Sequence, residues 1–117
     1  MKPDPGNLND HLSGDDPSPL KGPALAELVE QFGQGWEVVH QHHLERSFRF
    51  PDFRSALDFT NRIGRLAEEQ QHHPDIHLAW GEVRVQIHTH KIDALSAADF
   101  ILAARISAAA KNLESAT

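Results

Sequence analysis

From Glu82 to His90 the chain alternates without a break: Val83, Val85, Ile87 and Thr89 on one side, Arg84, Gln86, His88 and His90 on the other. Successive side chains of a strand point to opposite faces, so this run has one face to bury and one to leave wet. Such a strand needs antiparallel neighbours beside it and a helical layer on its dry side only. The surrounding sequence supplies both.

Directly before it, "DIHLAW" reads as a second strand, joined to the first around Gly81. Upstream, "WEVVHQHHLERSFRF" (36–50) reads as two extended segments with a turn near Gln41 and His42. Between the two pairs, Pro51 and Asp52 open a long helix, with Asp52 as N-cap. Phe53, Ala56, Leu57, Thr60, Ile63, Gly64 and Ala67 mark its apolar face. It ends near Gln70, because Pro74 disfavours helical geometry at His73. A short helix, "ALAELVEQF", carries Leu25, Leu28, Val29 and Phe32 and stops at Gly33 and Gly35. The last helix, "LSAADFILAARISAAAKNL", opens with the capping-box spacing of Ser96 and Asp99. Its apolar surface is Phe100, Ile101, Ala104 and Ile106 to Ala108, and its Ala-rich flank suits close packing against another helix. The order α-β-β-α-β-β-α predicts an α+β, two-layer domain: a four-stranded antiparallel sheet with three helices on one face. "LERSFRFPDFRSALDF" and "VRVQIHTHKIDALSAADF" each run hairpin into helix, which suggests an internal repeat.

A chain of 117 residues supports one core. Residues 1–23 hold five of the seven prolines and read as a flexible N-terminal arm, leaving 24–117 as the domain. The net charge of −6 argues against direct nucleic-acid binding, which needs clustered Lys and Arg. Without cysteine, disulfides, thiolate nucleophiles and Cys-ligated zinc are excluded. No run approaches the ~18 apolar residues of a membrane span, and the start has no basic-then-apolar leader, so a cytosolic protein is expected.

The chemistry lies in the nine histidines, six of which form the clusters His40, His42, His43 and His72, His73, His77. Imidazole gives and takes protons at cellular pH, its unperturbed pKa being about 6.5. His72 and His73 sit at the helix-to-strand junction. His90 ends the neighbouring strand, and hairpin register decides whether it reaches them. His88 and His90, two apart on one face, also resemble a chelating pair that His72 or His73 would complete, but no carboxylate stands at ligand spacing, so metal-free acid–base work is the preferred reading. His40, His42 and His43 read as solvated hairpin residues, Asp99 as a helix cap, and Trp80 as core.

Glu68, three residues, His72-His73-Pro74, five residues, Trp80, nine residues, His90, eight residues and Asp99 together resemble the signature of the pterin-4a-carbinolamine dehydratases. That family is also known as the dimerization cofactor of a homeodomain transcription factor, and the likeness runs from Gly35-Trp36 to "LSAADFILAARI". The resemblance implies dehydration of 4a-hydroxytetrahydropterin to quinonoid dihydropterin in tetrahydropterin recycling, with no cofactor and no metal. It puts His72, His73 and His90 around the reacting edge: His72 as base, His90 as acid, in exchangeable roles, and His73 positioning the ring. Glu68, Gln71 and Pro74 would bind the substrate from the helix end. Trp80, His88, Thr89 and Asp99 would bind it from the strand and the last helix. His88 departs from the family, where a small hydroxyl residue is expected. Family members form dimers or tetramers, so a homodimer or homotetramer is expected here. Relatives that act as transcriptional coactivators or rubisco assembly chaperones supply the alternative, a non-catalytic binding module.

Overall fold

The structure, a computed structural model, describes residues 19–116, so the N-terminal arm expected over 1–23 falls for the most part outside the described residues. Among those residues there are three helices and one open four-stranded sheet: α1 (Gly22–Phe32), β1 (Glu37–Val39), β2 (His43–Arg49), α2 (Phe53–Gln70), β3 (Asp75–Ala79), β4 (Glu82–Ile87) and α3 (Ala97–Ala116). The strands lie in the order β1-β2-β4-β3, each antiparallel to its neighbour. This is the expected α+β arrangement.

Each turn has a local cause. His40 and Gln41, both at positive φ, reverse the chain between β1 and β2. Gly35 also has positive φ, which favours glycine, and a Cβ there would lie 2.6 Å from the Arg46 guanidinium, which would have to shift. Asp52 caps α2 by accepting from the Ser55 amide at 2.8 Å. The end of α2 is a Schellman turn: Gln71 is left-handed, its amide donates to Glu68 O, and the His72 amide donates to Ala67 O at 3.1 Å.

The helices cover one face of the sheet. Leu44 and Phe48 of β2 and Val83, Val85 and Ile87 of β4 meet Ala56, Phe59 and Ile63 of α2 and Phe100, Leu102, Ala103 and Ile106 of α3 in one buried cluster. Phe59 is its hub on α2, edge-on to Phe48 at 4.8 Å and 5.2 Å from Phe50. The expected apolar face of α2 was therefore turned too far: Phe53 and Leu57 are exposed, and Ala56, Phe59, Ile63 and Ala67 are buried. The Ala-rich α3 packs against both other helices, with Ala103, Ala109 and Ala110 buried. The opposite sheet face stays polar, with Glu45, Ser47, Arg84, Gln86 and His88 upon it.

Candidate active site

Three elements meet at one end of the sheet: the C-terminal turn of α2, the last residues of β4, and the first turn of α3. Asp99 joins them. Its carboxylate is fully buried; Oδ2 accepts from the Ser96 amide at 2.7 Å and from the Thr89 hydroxyl at 2.8 Å, and Oδ1 lies 2.6 Å from His72 Nε2. Since Thr89 donates to Asp99, the Ser96 hydroxyl 2.6 Å away donates to Thr89. A carboxylate only accepts, so His72 presents Nε2–H to it, and the neutral form of the ring then carries its lone pair on Nδ1. The half-buried imidazole of His72 is thus held in one tautomer.

On the same turn, His73 Nε2 bonds the Glu68 carboxylate, and both side chains are exposed. Gln71 turns back to donate to Glu68 O at 2.9 Å. Pro74 then starts the chain into β3, where Asp75 pairs with Gln86 of β4. That register brings Asp75 beside the end of β4: one donor atom each from Asp75, His88 and His90 lie within 4.8 Å of one another. His90 is therefore close to the residue two places after His73. The helix end and the strand end converge.

Beyond Ile87 the regular ladder stops, short of the expected end at His90, because the chain now pairs with its own return. Thr89 bridges Ala94, and a tight loop over 90–93 puts Asp93 at positive φ. The Asp93 carboxylate lies 2.7 Å from His42 Nε2, whose Nδ1 is 3.1 Å from His43 Nδ1. The rings of His42, His88 and His90 follow one another, with centroids 4.6 Å and 4.3 Å apart. His42 and His43 are thus not merely solvated hairpin residues. Only the β1–β2 and β2–β4 registers bring them here, and no local spacing signals that. His88 sits between two other imidazoles; burial first, then its neighbours His90 and His42, hold its pKa below the ordinary histidine value. The bond from His42 holds the Asp93 carboxyl below its ordinary value.

Two of the expected binding residues have other employment. Asp99 and Thr89 are buried and fully engaged with one another, Ser96 and His72, so they shape the site from behind instead of facing a ligand. Trp80 is not core: it is 69% exposed in the β3–β4 turn. That turn closes the far end of the hairpin from Asp75, five residues or ~16 Å along the strand.

At one end of this one-sided α+β layer the buried Asp99 carboxylate holds His72, and the rings of His42, His88 and His90 lie in a row at the neighbouring sheet end. The chain belongs to the family described as pterin 4 alpha carbinolamine dehydratase, whose family model matches residues 18–109. A Rubrobacter xylanophilus protein provisionally named a pterin-4-alpha-carbinolamine dehydratase is 58% identical over 88 residues, 75% of this chain and 81% of that one. A Syntrophotalea carbinolica protein of the same provisional name is 55% identical over 91 residues, 73% and 81% of the two chains. Among solved structures, a transcriptional coactivator/pterin dehydratase from Brucella melitensis superposes with a TM-score of 0.74 at 29% identity, covering 80% of this chain and 99% of the other. A pterin dehydratase-like protein identified as a RuBisCO assembly factor in the alpha-carboxysome shares the fold, with a TM-score of 0.57 at 23% identity over 66% and 90% of the two chains.

Proposed function

We propose that this chain dehydrates a 4a-hydroxytetrahydropterin to the quinonoid dihydropterin, returning a pterin to the tetrahydro form's recycling route. The observation that carries the reading is the Asp99–His72 bond, which fixes the orientation of an imidazole at the helix end that the first turn of α3 and the end of β4 also approach. In the reaction a base takes the ring N–H proton, a C=N bond forms to C4a, and the C4a–O bond breaks as an acid protonates the departing hydroxyl to water. His72 serves as the base and His90 as the acid; His73, tethered by Glu68, positions the ring. Whether the two proton-transfer roles run in this sense or the reverse does not alter the residue set. His73 and His90 are both exposed, which leaves each accessible to a flat, polar ring.

The test is stopped-flow dehydration of 4a-hydroxytetrahydropterin by the full chain. His72→Ala and His90→Ala should each slow turnover by about 10²–10⁴-fold, the usual contribution of a positioned proton-transfer group. An unchanged rate in either variant removes that residue from the mechanism. The other reading, a binding module, draws on the coactivator and assembly-factor wording of the two solved relatives. It is favoured if the folded wild-type chain gives no acceleration at all. The reading also carries a homo-oligomeric state, supported by the exposed apolar side chains of Phe53, Leu57 and Trp80.

A further inference from the structure

The proposed proton transfers use none of three neighbouring side chains. His42, His88 and Asp93 come from the β1–β2 turn, the end of β4 and the loop that follows it, and one donor atom from each lies within 4.8 Å of the other two. Asp93 Oδ1 is 2.7 Å from His42 Nε2 and 3.9 Å from His88 Nε2. Donors about 2.0–2.1 Å from a tetrahedral zinc stand ~3.3 Å apart, so the two separations from Asp93 straddle the required edge, and the His42–His88 side lies within 4.8 Å. We propose that His42, His88 and Asp93 form a binding site for one divalent cation of the zinc class, with a fourth position open to solvent.

The donor set, two imidazole nitrogens and one carboxylate oxygen, suits borderline divalent ions and not calcium or magnesium, which take oxygen ligands. His42 has the support that metal-bound histidines usually show: its other nitrogen, Nδ1, is 3.1 Å from His43 Nδ1 and can donate to it once Nε2 is bound to the ion. In the metal-free protein the same ring must present Nε2–H to Asp93, so binding exchanges that hydrogen bond for two coordinate bonds and reverses the His42–His43 donor sense. Asp93 is 82% exposed on its side chain, so the ion has a way in. A second group, Asp75, His88 and His90, shares His88 with the first. The His42 group takes the ion because its carboxylate is already within bonding range of His42 and that same imidazole has an orienting neighbour in His43. The site does not rest on the dehydratase reading.

The experiment titrates Co²⁺, as the chloride, into the untagged full chain after removal of metals with a chelator and buffer exchange. The wild type should bind one equivalent with visible ligand-field bands, and saturating Zn²⁺ should displace the cobalt and raise the Tm by about 10–15 °C at a hundredfold excess over Kd. His42→Ala and Asp93→Asn, both on surface turns, should keep the fold by circular dichroism and weaken binding at least tenfold. His90→Ala should bind as the wild type does. Absence of a saturable one-to-one signal overturns the proposal, as does unchanged affinity in His42→Ala and Asp93→Asn. So does loss of binding in His90→Ala or Asp75→Ala, which would move the ion to the other group. Dehydratase activity of the metal-free chain is read separately: its failure would count against the proposed function and leave the cobalt result standing.

Discussion

At the scale of single residues, Asp99 shows how a cap becomes part of a site. The Ser96–Asp99 spacing is a local signal, and the structure keeps it, with the Ser96 amide on Oδ2. The sequence has no way to show that Oδ1 is left over for His72, because that bond spans 27 residues. Asp99→Asn tests what the bond does. An amide there still accepts from Ser96 and Thr89 through its oxygen, but it offers N–H to His72 and demands a lone pair on Nε2, moving the imidazole proton to Nδ1. The fold should persist while dehydration falls by 10²-fold or more, with kcat and not KM taking the loss. Asp99→Ala should in addition cost roughly 3 kcal/mol in urea unfolding, since it strips a buried hydroxyl, an amide and an imidazole of their acceptor. His88 gives a second residue-scale test. Its folded-state pKa lies below the ordinary value of about 6.5, so between the two the unfolded chain holds more protons than the folded one. Stability should therefore fall as pH drops through about 6.5, level off below the folded value, and lose this slope in His88→Asn; urea midpoints measured with chelator present decide it.

Among the elements, α2 separates what pattern can and cannot tell. Its start, its stop and its helical character follow from Asp52, Pro74 and the apolar spacing. Which stripe faces the sheet does not, because Phe53, Leu57 and Phe59 offer two overlapping faces a fraction of a turn apart. The ring contacts of Phe59 with Phe48 and Phe50 decide between them, and those partners lie on another element. The β-hairpins behave alike: alternation located β4 and its buried face, but the β2–β4 register that carries His42 to His88 is a long-range pairing. So the candidate histidines His72, His73 and His90 can be named from their spacing, and the imidazole–carboxylate cluster of His42, His88 and Asp93 cannot. The end of α2 offers an element-level prediction. Gln71 sits at φ 58, the position where helices most often place glycine. Gln71→Gly relieves a left-handed strain of about 1–2 kcal/mol and gives up a side-chain bond to Glu68 O and some unfolded-state rigidity. The net should be a gain of up to ~1 kcal/mol in urea unfolding. A loss of stability would show that the Gln71 amide, and not the backbone turn, holds the junction.

For the whole molecule, the one-sided core sets how chemistry and stability are coupled. The site is assembled from residues 68–99, yet each contributing element is held by the same cluster between sheet and helices. None of His72, His73 and His90 is itself in that cluster. A cavity in the core should therefore act on the population of folded molecules and not on their chemistry. Phe59→Ala is the sharpest form of this: a fully buried ring that touches both Phe48 and Phe50 is removed, at a cost of about 3–5 kcal/mol against the 5–15 kcal/mol usual for a domain. Urea unfolding should shift to lower midpoint as one transition by fluorescence and circular dichroism together, because sheet and helices share one buried cluster. Below that midpoint, turnover per folded molecule should match the wild type, in contrast to Asp99→Asn, which should keep the midpoint near wild type and lose the rate. If Phe59→Ala instead slows the folded fraction, the core is adjusting the His72–His90 geometry as well as supporting it, and the separation between scaffold and site fails.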